Sequence, residues 1–255
     1  MSEFTADYAG ASVVPSPNHG EREGVDGPDI IILHYTGMNS ADGALAWLAN
    51  PESQVSSHYF VYEDGRVVQM VPESRRAWHA GKSLWDGAAD INSRSVGIEI
   101  ANQGHPAGLP EFPEVQIKAV IELCRDCGAR WSIAPERVLG HSDIAPIRKI
   151  DPGEKFPWDI LSQNGVGHWV TPAPIGGGRF FQRGDSGQPV EALQSMLSLY
   201  GYGIEIDGVY GEQTEGTVAA FQRHFRPALV DGIADVSTID TLHRLILSLP
   251  KFRSA

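Results

Sequence analysis

Cysteine is nearly absent from this chain. Cys124 and Cys127 are the only two, so no disulfide framework holds it together. Their C-x-x-C spacing fits a redox or metal pair, but they continue the stripe Ile117, Val120, Ile121 at helical spacing, just ahead of Gly128. They therefore read as small apolar residues on the buried face of a helix that Gly128 stops. The surrounding sequence offers no two further ligands for a structural zinc. Long apolar runs are missing too: nothing approaches the ~18–20 residues that a membrane helix needs. Positive charge is in short supply, with Lys+Arg at 20 against Asp+Glu at 32 and a net charge of −12, which argues against nucleic acid as a partner. The residues after Met1 lack the basic start and apolar stretch of a secretory signal, which predicts a cytoplasmic protein. What is present is ordinary globular composition, 42% apolar over 255 residues, enough for one large domain and one small one.

The joint is predicted just after Trp169, where Thr171-Pro172-Ala173-Pro174-Ile175-Gly176-Gly177-Gly178 crowds two prolines and three glycines into an exposed connector. Beyond it lies an internal repeat. Val190-Glu191-Ala192-Leu193-Gln194 is echoed by Val218-Ala219-Ala220-Phe221-Gln222, and Asp207-Gly208 with Thr214 by Asp231-Gly232 with Thr238, the Thr seven places after the Asp both times. Each unit reads as a helix followed by an Asp-Gly turn, with Thr or a neighbour starting the next helix. His224 and His243 stand isolated there and read as surface or packing residues, so this half reads as a binding module. The first half reads as α/β, a mixed central β-sheet flanked by helices. Asp29 to Tyr35 forms a buried strand, and Ser40 caps a helix running through Leu45 and Trp47. Glu63-Asp64-Gly65 turns a hairpin, Ser95 to Ala101 forms an alternating strand, and a long helix runs through Ile117 to Cys127.

His34 closes the first of these strands beside a turn, where a lone histidine is ordinarily a packing residue. Its company changes that reading. Val138 to Gly153 is dense in polar groups and turn formers and holds His141, Asp143, Lys149 and Asp151. Two imidazoles and one carboxylate make a zinc set with a fourth position open for water. Spacing does not choose between Asp143 and Asp151 as the carboxylate. Glu99 lies between Gly97 and Ala101 on one face of its strand, a carboxylate with room above it, either solvent-facing or a general base. Lys149 reads as a surface lysine or as an oxyanion partner.

Several segments occur in one order: His34-Tyr35-Thr36, Ser57-His58-Tyr59, Ala77-Trp78-His79-Ala80-Gly81, Ser95 to Glu99, Gly140 to Pro146, and Asp151-Pro152-Gly153. Together they resemble the type 2 N-acetylmuramoyl-L-alanine amidases, relatives of the peptidoglycan recognition proteins, over roughly residues 20–165. The repeat resembles the small three-helix peptidoglycan-binding domain. The resemblance implies a zinc amidase domain at 1–172, a linker at 173–182 and an all-α module at 183–255. It implies zinc held by His34, His141 and Asp151, with Asp143 shaping the loop. Glu99 is implied as acid/base, Lys149 as transition-state stabiliser, and Trp78, His79 and Ala80 as substrate contacts. Ile147 departs from the pattern, since many relatives carry Gly there. The implied substrate is bacterial peptidoglycan or its muropeptides, with the module holding the enzyme on polymer without taking part in chemistry. The competing reading is a muropeptide-binding or sensing protein of the same fold. A wall-binding module favours the periplasm or cell envelope over the cytoplasm.

Overall fold

The computed structural model of the chain describes residues 4–252. Its strands are β1 (Ala11–Val13), β2 (His19–Gly20), β3 (Ile30–Tyr35), β4 (Tyr59–Val61), β5 (Val67–Gln69), β6 (Arg76–Ala77), β7 (Ser95–Ile100) and β8 (Val138–Gly140). In the first half the helices are α1 (Ala41–Leu48), α2 (Ile91–Arg94), α3 (Glu114–Trp131), α4 (His141–Ile144) and α5 (Trp158–Gln163); α6 (Gln188–Tyr200), α7 (Glu212–Phe225) and α8 (Val236–Leu247) follow. Six strands form a mixed sheet in the order β1-β5-β4-β7-β3-β8, parallel except at the β4–β5 hairpin.

The central strand β3 is apolar on both faces because both are covered. Ile31 and Leu33 join Val96, Ile98 and Ile100 beneath the stripe of α3, including Cys124 and Cys127. Burial pushes the Cys124 thiol up to about 12, so it stays a neutral apolar group. Ile30 and Ile32 face the other way, into a cluster with Trp85, Leu139 and Ile144. Ser40 caps α1 by accepting from the Gly43 amide at 3.2 Å. Helix α3 does not stop at Gly128. It runs to Trp131 and ends at Ser132, which takes the left-handed conformation at φ 56°. Beyond the glycine the buried Glu73 carboxylate accepts from Arg130 Nε at 2.8 Å and Trp131 Nε1 at 2.6 Å, so one Gly does not end the helix.

The repeat folds into three helices fastened by two copies of one hydrogen-bond staple. Gln194 Nε2 donates to Asp207 Oδ1, Val209 O and Thr214 Oγ1, while its Oε1 accepts from Gly208 N–H at 2.8 Å. Gln222 does the same with Asp231, Ile233, Thr238 and the Gly232 amide. The Gln, Asp-Gly and Thr recur at fixed spacing because one buried amide satisfies the whole turn. Both Thr residues sit in the first helical turn; Gly211 and Asp235 occupy the caps.

The two halves share a core. Trp85, Ile30, Ile32, Leu139 and Ile144 belong to one apolar cluster with Tyr202, Phe221, Phe225 and Leu242. Residues 174–180 are exposed, whereas Ala173 is pinned to α8 through Thr241 and Ser237. His224 is not an isolated histidine but a buried one, hydrogen-bonded to Asp143 across the junction.

Gln222→Ala strands several buried donors and acceptors and is expected to lower stability by about 2–3 kcal/mol, with the exposed His243→Ala neutral. Urea unfolding followed by circular dichroism checks both, and an unchanged midpoint for Gln222→Ala overturns the staple's role.

Candidate active site

Strand register assembles the site. His34 pairs with Glu99 across β3–β7, and Leu33 pairs with Gly140 across β3–β8, so His141 emerges beside His34. The site therefore lies at the carboxyl ends of three adjacent parallel strands, where loops of an α/β sheet converge. Asp151 is brought back by two contacts. Its carbonyl accepts from the Ser142 amide at 2.9 Å, and Pro152 packs so closely on Gly140 that a Cβ there would lie 2.9 Å from Pro152 Cδ.

Three donor atoms converge: His34 Nδ1 and His141 Nδ1 lie 2.9 Å apart, and Asp151 Oδ2 lies 3.1 and 3.0 Å from them. The other ring nitrogens are occupied. His141 Nε2 donates to Ala80 O at 3.1 Å, and His34 Nε2 donates to His79 Nδ1 at 3.0 Å. His79 Nε2 in turn donates to Ser95 Oγ, which donates to Ile91 O. This one assignment of protons satisfies the whole chain and leaves both Nδ1 atoms as bare lone pairs. Two lone pairs and a carboxylate oxygen then face each other with no proton between them, an arrangement that suits a cation and little else. Asp143 points away from this cluster, toward the helical module. Among the described residues the three-residue set His34, His141 and Asp151 is buried throughout.

Electrostatics follow from burial. Burial, reinforced by the neighbouring His141, lowers His34 to about 4, so the ring is neutral at pH 7. Burial opposes ionisation of Asp151, while any proton gained by His141 or His34 favours it and holds the carboxyl well below the usual range. Glu99 is raised to about 8 by burial and by Asp151, with Lys149 opposing. Its Oε2 is shielded from solvent and has no hydrogen-bond partner.

Glu99, Lys149, Trp78 and His79 line one cavity of about 460 Å³ with the three donor residues. Ala80 does not line it: its methyl is in the core and its carbonyl serves His141 and Arg148. Gly97 makes room for His79, since a Cβ there would lie 2.4 Å from the imidazole. A glycine inside a strand is the usual mark of such a close approach. Sequence reasoning missed the apolar wall of Met38, Trp47, Val55 and Ile150, which are exposed in patches around the opening. It also missed Arg148, which pins the Ala80 and Lys82 carbonyls at 2.6 and 2.8 Å; nothing but its place beside Lys149 singled it out.

A family model described as N-acetylmuramoyl-L-alanine amidase matches residues 24–154, and a peptidoglycan binding domain model matches 186–242. The chain belongs to the N-acetylmuramoyl-L-alanine amidase family. The amidase AmiD of Escherichia coli (strain K12) is 42% identical over 224 residues, covering 82% of this chain and 79% of the relative. The 1,6-anhydro-N-acetylmuramyl-L-alanine amidase AmpD of the same organism is 31% identical over 58% of this chain and 88% of its own. Among solved structures, AmiD in complex with anhydro-N-acetylmuramic acid-L-Ala-D-gamma-Glu-L-Lys superposes with TM-score 0.73 at 35% identity, covering 90% of this chain and 97% of that one. AmpDh3 of Pseudomonas aeruginosa superposes with TM-score 0.71 at 28% identity, covering 97% and 100%. The chain is thus an amide hydrolase of this family with a peptidoglycan-binding module. None of its described helices is long and apolar enough to cross a membrane.

Glu99 sets a pH dependence in the metal-free protein. Its folded pKa of about 8 lies above the ordinary glutamate value of 4.5, so between those values the unfolded chain loses the proton that the fold retains. Glu99 therefore costs stability as pH rises through that window, and the cost levels off above about pH 8. The expected result is a thermal-midpoint gap between Glu99→Gln and wild type that widens from pH 5 to 8. A gap independent of pH excludes a raised Glu99.

Proposed function

We propose that the chain hydrolyses the amide between the lactyl group of N-acetylmuramic acid and L-alanine, using zinc held by His34, His141 and Asp151. The observation that carries this reading is Glu99 Oε2, a shielded carboxylate oxygen without a partner, in the same cavity as three converging acceptors. When bound, zinc supplies a Lewis acid that brings the pKa of a water from about 15.7 to about 7 and polarises the scissile carbonyl. Glu99 Oε2 takes the proton of the attacking water and returns it to the departing alanine nitrogen, work commonly worth ~10²–10⁴ in rate. A carboxyl near 8 suits the acid half of this cycle, and positive charge in the cavity favours the base half by stabilising the ionised form. The Lys149 ammonium faces the oxyanion of the tetrahedral intermediate, a contribution of about 3 kcal/mol. Trp78 and His79 form substrate wall. His79 also orients His34, and Ala80 acts through its carbonyl on His141.

Muropeptides with an anhydro sugar are the proposed soluble substrates, supported by the ligands named for AmiD and AmpDh3. Residues 1–172 are assigned to catalysis, 173–182 to the connector and 183–255 to wall binding, spans that enclose the two family matches.

His141→Ala is expected to lose both zinc and activity, whereas Glu99→Ala keeps zinc and loses ~10²–10⁴ in turnover. Mass spectrometry of digested muropeptides reads the bond cut: a lactyl acid on the sugar and an intact stem peptide are expected. Cleavage within the stem peptide, or no new L-alanine amino terminus from zinc-loaded protein, overturns the assignment.

A further inference from the structure

The loop that carries His141, Lys149 and Asp151 does not rest on the amidase half alone. Asp143 is fully buried, and its carboxylate accepts three hydrogen bonds of 2.7 Å, from the Gly140 amide, Tyr202 Oη–H and His224 Nδ1–H. Two of those three donors come from the helical module. The His224 ring is itself fixed, stacked on Trp158 of the amidase half at 3.7 Å and on Phe225 at 3.8 Å. Further along the loop, Ile147 lies against α7. A Cβ built at Gly216 would sit 3.2 Å from Ile147 Cγ1, so a glycine on the module makes room for this side chain of the loop. The segment behind the loop is gripped as well. The Leu84 amide donates to Ile144 O at 2.9 Å and the Asp86 amide to Gly201 O at 2.8 Å, with the Trp85 ring against Gly201 and Tyr202.

We infer that Tyr202 and His224 are positioning residues for the reaction, acting through Asp143 on the metal-binding loop. Asp143 holds the Gly140 amide at the entrance to α4, whose first residue is His141. A buried carboxylate that loses a donor is relieved by moving toward water. Because Asp143 is two residues from His141 in α4, that movement turns the His141 ring and loosens the Ser142–Asp151 contact. The helical module is thereby part of the catalytic apparatus, needed for metal retention and for turnover of substrates too small to bridge to a wall-binding surface. This inference rests on the zinc-amidase reading above, and its test separates the two.

The full chain is compared with Tyr202→Phe, His224→Gln and the double variant. Ser237→Ala serves as control, because it removes a contact between module and connector, the 2.6 Å bond to Ala173 O, without touching the loop. Zinc affinity is read by chelator competition, loop order by backbone hydrogen exchange over residues 140–151, and kcat and KM on a soluble anhydro-muropeptide, alongside the thermal midpoint. In the double variant zinc affinity is expected to fall about tenfold or more, exchange in 140–151 to accelerate, and kcat to fall with KM within about twofold. Ser237→Ala is expected to lower the thermal midpoint but leave affinity and loop exchange unchanged. Wild-type affinity, exchange and kcat in the double variant overturn the inference, as does an equal loss in Ser237→Ala, which reduces the contacts to general stability. A wild-type protein that neither binds zinc nor cleaves muropeptide overturns the zinc-amidase reading instead, while the exchange comparison still decides whether Tyr202 and His224 order the loop.

Discussion

Two imidazole lone pairs and one carboxylate oxygen are held within 2.9 to 3.1 Å of each other in a buried site, and the rest of the structure is arranged around keeping them there. Acceptors placed this way repel unless a cation joins them, so the fold must supply the force that holds them together. It does so from outside the cluster. The Ala80 carbonyl fixes the proton of His141, and a chain from His79 through Ser95 to Ile91 fixes that of His34. Each outer partner has its own support: Arg148 on Ala80, and Gly97 giving His79 its space.

The sheet makes this economical. Because β7, β3 and β8 are parallel neighbours, Glu99, His34 and His141 reach the same end of the sheet through register alone. Only Asp151 and Lys149 require a loop to bring them back. The proposed chemistry then divides between a strand-borne part and a loop-borne part, and the loop-borne part is braced from outside through Asp143.

That bracing comes from the helical half, which changes the picture of a catalytic domain with a tethered anchor. An apolar cluster runs from Ile30 and Ile32 on β3 through Trp85 into α6, α7 and α8. The exposed stretch 174–180 joins units that are already packed together. The helical module and the loop that carries His141 and Asp151 are therefore in direct contact, with Asp143 at the connection.

Much of this was legible in the sequence, for identifiable reasons. Hydrophobic period gave β3, β7 and α3, turn chemistry gave the β4–β5 hairpin and both Asp-Gly turns, and a repeated Gln marked a repeated hydrogen-bond staple. Residue type and family order drew attention to His34, Glu99, His141, Lys149 and Asp151. Spacing could not choose between Asp143 and Asp151, because both lie in one loop and the choice depends on which way a carboxylate turns. Gly128 looked like a helix end, but hydrogen bonds from Arg130 and Trp131 to the buried Glu73 outweighed a local preference. His224 and Tyr202 carried no local signal, since their partner is Asp143, 81 and 59 residues away in the chain. By itself the sequence determined which groups were available and which segments would be strands, helices and turns, because those depend on neighbours a few residues apart. Only the tertiary structure decided which lone pairs face one another and that the second domain braces the loop of the first, because both are set by contacts between residues far apart in the chain.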